Sequence, residues 1–162
     1  MQQKSIFIAI MFLIFSFNLH AQKEAAFCKG KGYCGYVFDT SYIVLKSIKE
    51  QQSRLILSCN DIHIAERILR EQLFSLNGSK TNQSKGCPDI NRKLSKYCRQ
   101  YFGFVNTKGE KIIWINMFWN NDLRNRAKYD LISVNDGCSY YWNVEVNITT
   151  KTLSNLQING NG

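Results

Sequence analysis

The sequence predicts an α+β fold: one main helix packed on a four- to five-stranded antiparallel meander sheet and stabilised by disulfides. Three observations lead there. Apolar residues recur at helical spacing over 58–77, aromatic and β-branched residues concentrate over much of 97–158 and alternate in the run from 140 to 148, and six cysteines follow residue 27. A single amphipathic helix and a meander bury their apolar faces by lying across one another in two layers.

The helix rests on Ile62, Ala65, Leu69, Leu73 and Leu76, spaced three, four, four and three apart, with Ile68 widening the stripe. Glu66, Arg67, Arg70 and Glu71 are expected on the opposite face. Ser58 or Asn60 can cap the start, Asp61 sits near the positive end of the helix dipole, and Asn77-Gly78 offers a left-handed stop.

Strands come next. A short extended piece over Arg54 to Ser58 precedes the helix. Beyond the polar loop Gly78 to Asp89, Tyr97 to Val105 should meet Ile112 to Trp119 across Asn106-Thr107-Lys108-Gly109-Glu110. Tyr129 to Val134 should pair with Tyr140 to Ile148 across Asn135-Asp136-Gly137. In that last strand Tyr140, Trp142, Val144, Val146 and Ile148 alternate with Tyr141, Asn143, Glu145 and Asn147, one face dry and one wet. Leu153 to Ile158 completes the sheet and can serve as an edge that pairs between chains.

Upstream, Met1 to Ala21 reads as a secretory signal peptide. Lys4 supplies the positive start, Ile6 to Phe17 is nearly unbroken apolar chain, and Leu19-His20-Ala21 ends on a small residue. That apolar run falls short of the roughly 20 residues a membrane span needs. The bulky Phe27 before Cys28 argues against a lipoprotein signal. The expected organisation is a signal peptide over 1–21, a cysteine- and glycine-bearing N-terminal segment over 22–53, and an α+β domain over 54–162. Removal of the leader leaves 141 of 162 residues, a common size for one domain. Localisation is expected to be secreted or periplasmic, with no membrane span after cleavage.

Export makes disulfides the default role for Cys28, Cys34, Cys59, Cys87, Cys98 and Cys138, among fifteen possible pairings. Proximity in sequence favours Cys28–Cys34 and Cys87–Cys98, leaving Cys59–Cys138. Zinc would want Cys-x-x-Cys pairs or histidines, and beyond the leader His63 is the only histidine. No metal or cofactor is expected.

Residues 80–128 hold eleven Lys/Arg against three Asp/Glu, which is where the net charge resides. Such asymmetry attracts an anionic glycan, an envelope component or an acidic protein. No dense basic run supports nucleic-acid binding. Arg92, Lys93, Lys96, Arg99, Lys108 and Lys111, with Tyr141 as an outward-facing aromatic, are the candidate binding residues. Trp119 is the other aromatic expected to be exposed. Sheet faces that carry Tyr, Trp and Arg can stack sugars or bases.

Catalytic candidates are sparse. His63 lies in the first turn of the helix with no evident nucleophile beside it, and Glu145 and Asp130 are the carboxylates with the most apolar neighbours. Gly78-Ser79-Lys80-Thr81 lacks the spacing of a phosphate-binding loop and follows a helix instead of preceding one. The expected function is therefore an exported, noncatalytic binding or interaction domain with a basic face. The alternative is a small envelope hydrolase with a pocket between helix and sheet.

The helix-then-sheet order, together with the closing run Trp142-Asn143-Val144-Glu145-Val146-Asn147-Ile148-Thr149-Thr150-Lys151 and Leu156-Gln157-Ile158-Asn159-Gly160, resembles cystatin-like or PepSY-like domains. With the leader ending Ala21-Gln22, it is similar to small uncharacterised exported proteins of Bacteroidota. Those domains include inhibitors and binding modules, but the Gln-Val-Val-Ala-Gly type loop of inhibitory cystatins does not occur here. A bacterial source would leave the sequons at Asn77, Asn82 and Asn147 without consequence.

Overall fold

The computed structural model describes residues 23–44, 53–84, 86–119 and 121–160. The leader and Lys85 lie outside the described residues. The architecture is α+β, with β1 (Ala26–Gly30), β2 (Tyr33–Phe38), β3 (Arg54–Leu55), α1 (Cys59–Leu76), the short α2 (Ile90–Lys93), β4 (Cys98–Val105), β5 (Lys111–Phe118), the short α3 (Arg124–Ala127), β6 (Tyr141–Asn147) and β7 (Thr152–Ile158). The sheet is mixed, in the order β1-β2-β4-β5-β6-β7, and β3 pairs with β4 beyond the end of β2.

This corrects the expected antiparallel meander of four or five strands. The meander exists, running antiparallel from β4 to β7. The difference lies at the N-terminal side, where the β1–β2 hairpin joins the same sheet through a parallel β2–β4 pairing. Parallel neighbours need a long crossover, and the chain supplies one containing β3, α1 and α2. Gly35 makes the docking close: a Cβ there would lie 2.5 Å from the Arg99 carbonyl oxygen and 2.7 Å from the Tyr101 ring. That glycine serves strand contact, whereas Gly32, at φ +78°, serves the β1–β2 turn.

Helix α1 forms as its periodicity predicts. Ser58 caps it in a reciprocal box with Asp61, each side chain bonded to the other's backbone N–H. Ile62, Ala65, Ile68, Leu69 and Leu73 are buried against Tyr101, Ile113, Ile115, Met117, Trp142, Val144 and Val146. Asn106 closes the β4–β5 hairpin by accepting from the backbone of Lys108 and Glu110.

Tyr129 to Val134 is not a strand. The segment lies over the sheet face opposite α1, and side-chain amides replace a ladder there. Gln100 donates to the carbonyls of Ala127 and Asp130 and accepts from the Ile132 N–H, while Asn116 donates to the Ile132 carbonyl and to Gln100. Both amides are buried. Ala127 and Ile132 pack there with Cys98 and Phe118, and Val44 packs nearby with Phe38, Phe102 and Phe104.

Candidate functional site

Two polar clusters flank the sheet. Between α1 and the strands, Glu66 and Arg99 form an ion pair at 2.8 Å with both side chains 1% exposed. Tyr101 donates to the same carboxylate oxygen at 2.9 Å, and Arg99 also donates to the carbonyls of Tyr97 and Leu94. Tyr33 lies against Arg99 and hydrogen-bonds His63 Nδ1. Burial, and then the neighbouring Glu66 charge, push the Tyr101 hydroxyl well above its ordinary range. Every strong donor and acceptor here already has a partner, so the cluster is closed around itself.

The second cluster is open. On the sheet face away from α1, a cleft of about 60 Å³ is lined by Trp114, Asn116, Tyr141 and Asn143 from β5 and β6, by Leu131 to Val134, and by Asn159. One water requires roughly 10–15 Å³ on this measure, so the cleft has room for about four. Strand alternation places Trp114 and Asn143 on this face, and Trp114 Nε1 donates to Asn143 Oδ1 at 3.0 Å. Asn116 and Asn159 are committed to the fold: Asn159 holds the carbonyls of Val134 and Asp136. By contrast the Tyr141 hydroxyl, the Ser133 hydroxyl and the Asn143 amide nitrogen have no hydrogen-bond partner among the described residues. Three uncommitted polar groups thus border a half-exposed indole.

The sequence-derived candidates divide. Tyr141 is half-buried and lies in this cleft, as its outward alternation suggests. Arg92, Lys93 and Lys96 are exposed around α2 and the turn after it. Lys108 and Lys111 are exposed at the β4–β5 turn, the other end of those strands. At about 3.3 Å per residue, the eight residues of β4 set the two groups about 25 Å apart. They do not make one continuous face.

Arg99 leaves the surface set altogether, because alternation along β4 turns it toward α1, where Glu66 receives it. Glu66, expected on the outer face of the helix, follows Ile62 by four residues and so falls within the buried stripe. That spacing is the sequence signal for the pair. Several cations, one candidate among them, are already paired: Lys80 with Asp89 at 3.0 Å, Arg92 with the same carboxylate at 3.7 Å, Arg126 with Asp130 at 3.3 Å and Lys128 with Glu24 at 3.4 Å. Trp119, expected to be exposed, is half-buried between Tyr97 and Tyr140.

His63 is exposed on α1, Glu145 accepts from Asn155 on the opposite sheet face, and Asp130 accepts from Tyr42. The three do not converge. The Asp130 carboxyl is held below its usual range, first by the Tyr42 hydroxyl.

Cysteine pairing also differs from expectation. The bridges are Cys28–Cys59 and Cys87–Cys138, while Cys34 and Cys98 are unbridged. Docking of the β1–β2 hairpin sets Cys28 beside the start of α1, and the folded-back loop sets Cys87 beside Cys138. Short sequence separation does not govern either. Among the described residues, no group of three or more His, Cys, Asp or Glu could hold a metal, and no helix is long and apolar enough to cross a membrane. Comparison with protein-family models, with curated proteins and with solved structures finds no match to this chain.

Proposed function

We propose that this chain is an exported, noncatalytic binding domain, and that the cleft over β5 and β6 receives one hydroxyl-rich unit of an acidic glycan. The observation that supports this is the joining of the Trp114 ring with three uncommitted polar groups, Tyr141 OH, Ser133 Oγ and Asn143 Nδ2, in one shallow cleft. Sugars present an apolar C–H face that stacks on an indole and a rim of hydroxyls that require donors and acceptors. Cys98, Phe118 and Tyr141 lie in one row across the sheet, so Arg92, Lys93 and Lys96, which precede Cys98, lie at the cleft's end of the strands. They supply the attraction for carboxylate or sulfate substituents, aided by the net charge of +8 that residues 22–162 carry.

Two disulfides and the lack of a membrane-crossing helix among the described residues are compatible with a periplasmic or extracellular location. The signal peptide over Met1 to Ala21 completes the export reading. A cystatin-like or PepSY-like domain would share the helix laid across β4 to β7. The β1–β2 hairpin would be an addition to it.

Binding to polygalacturonate and to the neutral polymer dextran, followed by affinity electrophoresis, tests the reading. Nucleobases stacked on aromatic side chains gain about 1–3 kcal/mol; with a sugar face on Trp114 taken at the same order, Trp114→Ala should weaken polygalacturonate binding about tenfold, with the fold checked by circular dichroism. Tyr141→Phe should weaken it less, and reversal of Arg92, Lys93 and Lys96 to Glu should affect polygalacturonate and leave dextran unchanged. Binding by Trp114→Ala and Tyr141→Phe at the parent's strength would overturn the cleft. Retention of an acidic protein but of neither polymer would overturn the glycan.

A further inference from the structure

Cys34 and Cys98 are set side by side by the strand that sequence patterning did not anticipate. β2 and β4 run parallel with Gly35 opposite Arg99, so each cysteine sits one residue earlier on its strand and in the same row. Residues in one row of neighbouring strands project to the same face. Here that face is the one away from α1: Cys98 packs with Phe118, Ala127 and Ile132, and Tyr36, two residues after Cys34, packs against the same cluster. Neighbouring strands lie about 4.8 Å apart, within the roughly 4.4–6.8 Å Cα separation that disulfides use.

We propose that Cys34 and Cys98 form a third disulfide, a cross-strand bond that fastens the β1–β2 hairpin to β4 on the face opposite the Cys28–Cys59 bridge. The proposal goes beyond the binding function and requires only a disulfide oxidant. The reaction is thiol–disulfide exchange. Cys34, half-buried and reachable, loses its proton and attacks one sulfur of a small-molecule disulfide, breaking that S–S bond and releasing one thiolate. Cys98 then loses its proton, attacks Cys34 Sγ and releases the second thiolate. The two protons end on the two released thiolates, so two protein thiols are oxidised and one disulfide is reduced to two thiols.

The surroundings order these steps. Burial pushes the Cys98 thiol up to about 11, the nearby Cys34 adds to the rise, and Arg124 opposes it. Cys98 is thus a poor first nucleophile and also a poor leaving group. Closure is slow, and once closed the bond resists reduction, because attack on Cys34 must expel Cys98.

The test uses the purified protein exposed to glutathione disulfide, with remaining thiols capped by N-ethylmaleimide in denaturant and the tryptic digest read by mass. Cleavage after Lys31, Lys46, Lys96 and Arg99 isolates Gly32–Lys46 and Tyr97–Arg99. The expected product is those two peptides joined, reductant-sensitive, with an intact mass about 6 Da below the fully reduced chain. Capping of both Cys34 and Cys98, with the chain before capping only about 4 Da below its fully reduced mass, would overturn the proposal, as would Cys34 joined to any other cysteine. In Cys34→Ser, Cys98 should take the maleimide completely while the other two bridges persist; Cys98 found in a bridge there would likewise overturn the pairing. The readout is a bond in the unaltered protein, so loss of the glycan reading leaves it standing.

Discussion

Arg99 carries a full charge into the core, where Glu66 and the carbonyls of Tyr97 and Leu94 accept from it, and the Tyr101 hydroxyl donates to Glu66. Desolvating both ions is expensive, and removal of one partner leaves the other charge uncompensated. Glu66→Gln should therefore destabilise the fold by about 3–5 kcal/mol, read as a lowered urea midpoint. Replacing both residues with apolar ones of similar volume, Glu66→Leu with Arg99→Met, should recover most of that loss. A Glu66→Gln variant as stable as the parent would show that the pair contributes nothing. Asp39 gives the pH counterpart. The Lys23 ammonium and then the Ser41 hydroxyl and N–H hold its carboxyl at about 2, below the ordinary 3.8. The folded state thus binds the proton less readily than the unfolded one. The resulting stability is fully present above pH 3.8 and disappears as the pH falls through about 2. Lys23 is largely exposed, so the effect is small. Asp39→Asn should flatten the urea midpoint across that acid window, lower it slightly at neutral pH and leave it unchanged below about pH 2.

At the scale of elements, legibility followed local periodicity. Helix α1 could be read because its apolar stripe and Ser58–Asp61 cap are both encoded within 20 residues. The strands β4 to β7 could be read because β4 and β5 are rich in aromatic and β-branched residues around an Asn106–Glu110 turn, and β6 alternates residue by residue. Tyr129 to Val134 is also rich in apolar residues, yet it is not a strand. Its backbone is satisfied by Gln100 and Asn116 from strands β4 and β5, a partnership no local pattern reveals. The N-terminal segment over 22–53 was opaque for a related reason: its Gly35 sits inside β2 and permits the Arg99 and Tyr101 contacts. From that one docking step follow the parallel junction, the Cys28–Cys59 bridge and the adjacency of Cys34 to Cys98. For the site, Tyr141 was legible from alternation. Trp114 became a partner for it only once β5 and β6 were in register.

For the whole molecule, the two bridges fasten different parts of the fold, and this separates stability from binding. Cys28–Cys59 ties β1 to the start of α1, on the helix side. Cys87–Cys138 holds the 77–89 loop to the chain that leads into β6, where Ser139 and Tyr140 also bond the carbonyls of Pro88 and Gly86. The same loop reaches the cleft, since Asn82 donates to the Asn159 carbonyl at 2.8 Å. Chain-entropy reasoning assigns about 4 kcal/mol to each bridge, because the enclosed stretches of 31 and 51 residues enter only as a logarithm. Paired Cys→Ser replacement at either bridge should thus lower the urea-derived stability by similar amounts. Polygalacturonate binding under conditions where both variants remain folded should differ. The Cys87/Cys138 variant loses the constraint on Asn159 and on the approach to Tyr141, so its affinity should fall several-fold, whereas the Cys28/Cys59 variant should bind as the parent does. Equal affinity in the two variants would show that the loop bridge stabilises the fold without shaping the cleft.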